Sequence, residues 1–513
     1  MTPNELSRSD PISRRGFVKR AAVAAQALAY SRTSLPDTRP PNIVIVYADD
    51  MGYGDVGVYG GREFDTPNLD SMAGDGVRFT DFYVAQPVCS ASRAALLTGC
   101  YSNRVGILGA LGPKSRTGIS DGEVTIAQLV KQKNYATAIF GKWHLGCQPQ
   151  FLPLHHGFDE YFGLPYSNDM WPFHPEAPKD YPDLPLMEGD KAVAYNPPMD
   201  SLTSRYTERA VAFIEKNRER PFFLYLAHNM PHVPLGVSPR FKGKSRHGLY
   251  GDVIMEIDWS VGEILQTLRR LNLDENTLVI FASDNGPWLS YGDHSGHSGP
   301  LREGKGTTWE GGVRVPLLIK WPGRIPAGST RNGVQSHEDL FVTLAAAAGL
   351  ADLKSELLAG KQMGDTAYKV HLDGYNNLDY WTGKSDKSAR REYFYYDETD
   401  LMAIRVDAWK MHIGVKPEGS WWDEKYYPSV PYVFNLLMDP MEKMDPQSHE
   451  WGYIGRKFFA QKMWAPAAAS PFLGEHLKSL QDYPPRQGAD SLSMKKVIEG
   501  AMKKMDSPAG GSN

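Results

Sequence analysis

The run Asn42-Ile43-Val44-Ile45-Val46-Tyr47-Ala48, followed at once by Asp49-Asp50, decides the fold. Seven almost wholly apolar residues, without polar alternation, are the pattern of a strand buried on both faces of a mainly parallel sheet. Runs of the same kind recur over 135–140, 221–227 and 277–282, with amphipathic helical stretches over 124–133, 205–216 and 250–271 between them. Strands alternating with helices predict an α/β fold: a mainly parallel, mixed central sheet sandwiched by helices. Beyond residue 370 the pattern shortens. The strand-like runs 393–396, 402–406 and 409–413 predict a smaller C-terminal domain built on an antiparallel sheet, closed by a helix over 489–505. The expected organisation is a main N-terminal domain over 40–370, a small α+β subdomain over 371–505 and a flexible tail over 506–513. Trp421-Trp422 and Tyr426-Tyr427 are expected to pack between the two domains.

Each long strand is followed by polar residues. Asp49-Asp50 follows the first, Gly141-Lys142-Trp143-His144 the second, His228-Asn229-Met230-Pro231-His232 the third and Ser283-Asp284-Asn285-Gly286 the fourth. Ligands of open α/β sheets sit at the carboxyl ends of strands, so these clusters should converge on one pocket. Asp49, Asp50, Asp284 and Asn285 supply hard oxygen ligands of the kind calcium prefers, and two adjacent carboxylates stay ionised most cheaply around a dication. Neither cysteine nor histidine spacing supports zinc. Lys142, His144, His232 and Lys305, the last in a glycine-rich loop over 301–312, would complete a cationic pocket for a small anion.

Composition excludes several classes. The 513 residues are 41% hydrophobic and 23% charged, as in an ordinary globular protein, and no stretch of about 20 apolar residues predicts a membrane span. A net charge of −4 argues against a general nucleic-acid binder. Ser13-Arg14-Arg15-Gly16-Phe17-Val18-Lys19, followed by the small apolar run 21–29, resembles a twin-arginine signal peptide over 1–29, with Ala27-Leu28-Ala29 as the cleavage site. That signal implies a bacterial protein carried folded by the twin-arginine translocase to the periplasm or outside. Export would also let Cys100 and Cys147 oxidise, although two cysteines are no disulfide framework.

Pro87-Val88-Cys89-Ser90-Ala91-Ser92-Arg93-Ala94-Ala95-Leu96-Leu97-Thr98-Gly99 sets a cysteine four residues before an arginine at the mouth of an expected helix. This segment resembles the signature of the formylglycine-dependent sulfatases. Taken with 47–55, Thr66-Pro67-Asn68-Leu69-Asp70, 141–146, His156-Gly157-Phe158-Asp159, Asp284-Asn285-Gly286 and 305–312, the chain resembles the arylsulfatase A type of that family, in the alkaline phosphatase superfamily, over about 41–440. The resemblance implies that a maturation enzyme oxidises Cys89 to formylglycine, whose hydrate offers one hydroxyl to attack sulfur and another to expel sulfate afterwards. A plain serine would be left as a stable sulfate ester. The commoner form of the signature has proline where this chain has Ala91, which leaves open the class of maturation enzyme.

Site roles follow from the resemblance. Asp49, Asp50, Asp284, Asn285 and the modified Cys89 would hold calcium; Arg93, Lys142, His144, His232 and Lys305 would hold the aldehyde and sulfate; and Ser167, in Pro165-Tyr166-Ser167, would face the sulfate. The implied cycle proceeds through a covalent sulfo-enzyme. His232, helped by Lys305, protonates the leaving alcohol, and His144 then deprotonates the remaining hydroxyl. Trp171 and Trp288 could flank the pocket with aromatic faces, which points to a sulfated carbohydrate. Two rival readings are a phosphodiesterase or phosphonate hydrolase of the same superfamily, and a non-catalytic exported glycan-binding protein in which Cys89 stays a thiol.

Overall fold

The computed structural model describes residues 39–487 apart from 176 and 178, so the expected signal peptide, the helix over 489–505 and the tail over 506–513 lie outside the described residues. Among the described residues the central sheet has ten strands. They are β1 (Asn42–Ala48), β2 (Val77–Phe79), β3 (Ala136–Gly141), β4 (Glu160–Gly163), β5 (Pro185–Glu188), β6 (Lys191–Tyr195), β7 (Phe222–Ala227), β8 (Thr277–Ser283), β9 (Leu317–Lys320) and β10 (Ser329–Arg331). Their order is β10-β2-β9-β8-β1-β7-β3-β4-β5-β6. The middle five, β8 to β4, are parallel. Antiparallel strands flank them: β9 runs against β8 and β2, and β5 against β4 and β6. The sheet is therefore mixed, with a parallel centre.

The apolar run of β1 is explained by its two neighbours and two faces. Ile43, Ile45 and Tyr47 enter one hydrophobic layer, and Val44, Val46 and Ala48 the other. Helices α1 (Pro67–Gly74), α2 (Cys89–Thr98), α3 (Leu202–Lys216), α4 (Gly248–Arg270) and α5 (His337–Ala347) supply the covering. Leu202, Tyr206 and Phe213 of α3 and Val253, Ile254 and Ile257 of α4 pack against the Val44 face. Ala94, Ala95 and Leu96 of α2 and Leu340 and Phe341 of α5 pack against the Ile43 face. Every residue of α2 is buried, which its run of small side chains permits, and Gly99 ends it at φ +71 with its N–H on the Ala95 carbonyl.

The smaller C-terminal sheet is antiparallel, with strands β11 (Glu392–Asp397), β12 (Asp400–Val406), β13 (Trp409–His412) and β14 (Tyr432–Asn435) in sequential order. Two helices that the sequence reading did not anticipate follow, α6 (Gly452–Gln461) and α7 (Trp464–Asp482). A buried ionic network ties this sheet to the main domain: Glu310 accepts hydrogen bonds from Tyr83 (2.6 Å), Tyr395 (2.9 Å) and Lys410 (3.1 Å). Of the four aromatics expected between the domains, only Trp421 turns inward, packing on the apolar layer beside α3 and α4. Trp422, Tyr426 and Tyr427 are exposed, on an irregular segment that no described helix or strand covers. No described helix is long and apolar enough to cross a membrane.

Candidate active site

The carboxyl ends of β1, β3, β7 and β8 meet where α2 begins. Asp49 and Asp50 leave β1 with Asp50 at φ +67, a left-handed conformation that costs a non-glycine residue about 1–3 kcal/mol and recurs at functional sites. The turn is fixed from β8. The Asp50 N–H donates to Asp284 Oδ1 at 3.0 Å, the Met51 N–H donates to Ser283 Oγ at 3.0 Å, and Asn285 Nδ2 donates to Asp50 Oδ1 at 2.6 Å. That last bond turns Asn285 Oδ1 away from its neighbours. Among the described residues Asn285 Oδ1 and Asp49 Oδ1 are buried without a hydrogen-bond partner.

Cations surround these acids. Arg93, one turn along α2 from Cys89, places Nη2 2.9 Å from Asp284 Oδ2 and 3.6 Å from Asp49 Oδ2, donates Nη1 to the Lys142 carbonyl at 3.1 Å, and lies over the Tyr47 ring. Lys142 Nζ is 2.5 Å from Asp49 Oδ2 and 3.2 Å from Ser167 Oγ. Lys305 Nζ reaches both oxygens of Asp50 at 2.8 Å. His232 Nε2 stands 3.6 Å from Asp50 Oδ2 while its Nδ1 donates to the Val233 carbonyl at 2.6 Å. His144, also left-handed at φ +59, has Nε2 2.9 Å from the Leu111 carbonyl. A carbonyl only accepts, so Nε2 carries the proton and Nδ1, which has no partner among the described residues, keeps its lone pair.

The electrostatics follow from burial and pairing. Burial pushes the Asp49 carboxyl up, but Lys142 and Arg93 outweigh it and hold the group well below the usual carboxylate range. Burial, reinforced by the Asp49 charge, pushes Asp284 up to about 8. Burial pulls Lys142 and Lys305 down, but Asp49 and Asp50 respectively overcome it and hold both ammonium groups above their ordinary value. Burial, with Lys142 and Arg93 adjacent, keeps the His144 imidazole neutral. For His232 burial and Lys305 oppose the charged form, yet Asp50 and Asp169 more than compensate and raise it. The protein's own cations thus satisfy Asp49 but leave Asp284 short of countercharge, and two oxygens unused. Hard carboxylate and amide oxygens in that state fit a divalent cation.

Cys89 is a free, buried thiol at the first position of α2, where the positive end of the helix favours negative charge. Its Sγ and ligand atoms of Asp49, Asp50 and His232 all lie within 4.8 Å of one another. The structure therefore brings together all eleven residues singled out from the sequence: Asp49, Asp50, Cys89, Arg93, Lys142, His144, Ser167, His232, Asp284, Asn285 and Lys305. His228 is not among them, and bonds Ser260 on α4 at 3.0 Å. Trp288 lies edge-on to His232, whereas Trp171 packs against Phe173 and the apolar layer. Cys100 and Cys147 are free and face different carbonyls, those of His371 and Pro113. Two contributors escaped the sequence reading. Asn168 donates to the carbonyls of His232, Val233 and Pro234 at 3.2 to 3.3 Å, holding the His232 turn, and Trp421 covers Lys305. Adjacency to Ser167 was the only signal for Asn168.

A nucleophilic side chain at a helix N-terminus, a cluster of oxygen donors and a ring of cations, all at the carboxyl edge of a parallel sheet, define a hydrolase that handles a small anionic group. The sulfatase family model matches residues 41–350. Human arylsulfatase A is 42% identical over 396 residues, 73% of this chain and 75% of that protein. Dog N-acetylgalactosamine-6-sulfatase is 41% identical over 446 residues, 79% of this chain and 81% of that protein. The solved structure of the PsFucS1 sulfatase from Pseudoalteromonas sp. superposes with a TM-score of 0.76 at 28% identity, covering 93% of this chain and 96% of that one. The chain belongs to the sulfatase family, and is a sulfuric ester hydrolase.

Proposed function

We propose that this sulfatase works through formylglycine formed from Cys89, with calcium held by Asp49, Asp50, Asp284 and Asn285, on a sulfated carbohydrate. The observation that carries the reading is the packing of Cys89 Sγ against ligand atoms of Asp49, Asp50 and His232 within 4.8 Å. The two orphaned oxygens beside them, Asp49 Oδ1 and Asn285 Oδ1, support the metal. Bound there, calcium would offset the acidic charge and polarise the sulfate oxygens. The hydrated aldehyde would supply both the attacking hydroxyl and, in its second hydroxyl, the route by which sulfate leaves.

The chain's own groups divide the remaining work. Arg93 and Lys142, fixed and fully buried, hold the nucleophile and sulfate oxygens in place. Ser167, 3.2 Å from Lys142 Nζ, adds a hydroxyl to the same wall. His232 has Nδ1 committed to the Val233 carbonyl, so Nε2 faces the reacting centre and donates its proton to the leaving oxygen, assisted by Lys305. His144 is neutral with its lone pair on Nδ1, the state needed to take a proton from the residual hydroxyl.

The relative named for N-acetylgalactosamine 6-sulfate, together with the Trp288 ring beside His232, supports a sugar as the carrier of the sulfate. A catalytic domain over 40–370 with a subdomain over 371–505, export by the twin-arginine translocase, and maturation of Cys89 before export complete the proposal. The test is peptide mass spectrometry of the full chain co-expressed with a maturation enzyme, alongside sulfate release. Conversion of Cys89 to the aldehyde, with activity proportional to the converted fraction and absent in Cys89→Ala, is expected. Full activity from an unmodified thiol would overturn the reading.

A further inference from the structure

A line of aromatic rings runs outward from the reacting centre past Lys305. The Trp288 ring lies 5.6 Å from the His232 ring, and Lys305 Nζ sits 4.4 Å above it. Trp421, from the C-terminal region, has its ring 5.4 Å from Trp288 and 5.6 Å from the same Lys305 ammonium. Trp422 stacks on Trp421 at 5.5 Å and 13°, and its side chain is 56% exposed. Three indoles thus step from the pocket wall to the surface.

The platform is held in place. Lys416, itself buried, donates to the Gly306 carbonyl at 2.9 Å and the Trp421 carbonyl at 3.0 Å, and pairs with Asp397 at 3.0 Å. One ammonium therefore joins the loop that carries Lys305 to the segment that carries Trp421. Gly306, at φ +80, lies against the Trp421 ring so closely that a Cβ would overlap it. Such fixed rings are suited to binding, because their ordering is complete before a ligand arrives.

Direction and chemistry identify the occupant. His232 and Lys305, the groups assigned to the leaving oxygen, are the two that touch Trp288, so the alcohol portion of the ester departs toward the indoles. Flat apolar faces bearing N–H donors suit the C–H faces and hydroxyls of a pyranose. An indole as exposed as Trp422 contributes little to the core and is placed to meet a ligand. Resting on the sulfatase reading, we infer that Trp288, Trp421 and Trp422 form a saccharide subsite in which the sulfated sugar passes along the Trp288 edge and the next sugar lies on the exposed face of Trp422, which Trp421 backs from beneath. The C-terminal segment then selects chains over small aryl esters.

The test uses the full chain with Cys89 converted. Initial rates are compared for 4-nitrocatechol sulfate, N-acetylgalactosamine 6-sulfate, and oligosaccharides of chondroitin 6-sulfate, carrageenan and sulfated fucan. The readout is the ratio of kcat/KM for the best oligosaccharide to that for the aryl sulfate. Trp422→Ala is expected to lower that ratio about tenfold, mainly through KM, and Trp421→Phe to recover much of what Trp421→Ala loses. An unchanged ratio in both alanine variants, or a wild-type protein that hydrolyses no oligosaccharide better than the aryl ester, would overturn the subsite while leaving the sulfatase reading intact. No sulfate release from any ester would overturn both.

Discussion

His144 and Asp50 are held at φ +59 and φ +67, conformations that cost a non-glycine side chain about 1–3 kcal/mol each and persist only where surrounding bonds fix them. For His144 that fixing determines chemistry: with Nε2 bound to the Leu111 carbonyl, the free lone pair lies on Nδ1. His144→Ala should therefore slow sulfate release more than ester cleavage. A burst of alcohol release followed by a kcat reduced about 10²–10⁴-fold, with sulfated enzyme visible by intact mass, is the expected outcome. Equal slowing of burst and steady state would assign His144 elsewhere. The orphaned Asp49 and Asn285 oxygens carry a second prediction. At a concentration of 100 times its Kd, calcium should stabilise the full chain by about 2.7 kcal/mol in thermal unfolding, and Asp49→Asn should abolish that response. Asp49, Asp50, Lys142, His144, His232, Asp284 and Asn285 were legible because they follow strands whose apolar runs mark their own ends, and Arg93 and Lys305 through the motifs around Cys89 and in the glycine-rich loop. Asn168 and Trp421 were not, since they act from irregular segments where no periodicity says which way a side chain turns.

At the level of elements, β1 carries the site and its burial sets what it tolerates. Ile45 is fully buried and lies in register with Tyr225 and Ile280 on the neighbouring strands. Ile45→Ala should cost about 2–5 kcal/mol by urea denaturation, through lost transfer energy and the cavity left behind. Four of the five parallel strands were legible because burial on both faces leaves an unbroken apolar run, and their observed limits differ from the expected ones by at most a residue; β4, only four residues long, was missed. The hairpin β5–β6 was missed because β6 is largely exposed and lacks a buried stripe. Helices α6 and α7 were missed for a different reason. Gly452, Gly455 and Pro471 read as breakers, yet the two glycines are the buried positions where α6 approaches the backbone of Met444 and Pro446. Close packing, which a single sequence does not display, outweighs propensity there.

Across the whole molecule, a buried ion pair joins the C-terminal region to the short helix over 102–105 that follows α2. Arg104 grips Asp373 through Nε at 3.0 Å and Nη2 at 2.8 Å, and donates to the carbonyls of Ser479 and Tyr483 at the end of α7. Burial pushes Asp373 up, but Arg104 and His371 outweigh it and hold the carboxyl far below its ordinary range. A depressed folded value means stability that is present above the unfolded value, about 3.9, and is lost as pH falls through and below it. The urea midpoint should drop as pH is lowered from about 5 to 3. Asp373→Asn should cost about 3–5 kcal/mol at pH 7, since it leaves Arg104 buried without its charge partner, and should flatten that acid limb. An acid limb as steep in the variant as in the wild type would remove Asp373 from the account. The catalytic claim is tested most directly by the intact mass of Cys89→Ser after incubation with 4-nitrocatechol sulfate. A serine can attack sulfur but has no second hydroxyl through which to expel it, so one stable sulfo group per chain and no turnover are expected. Sustained turnover by Cys89→Ser, or a chain that stays unsulfated while the wild type is active, would contradict nucleophilic attack from position 89.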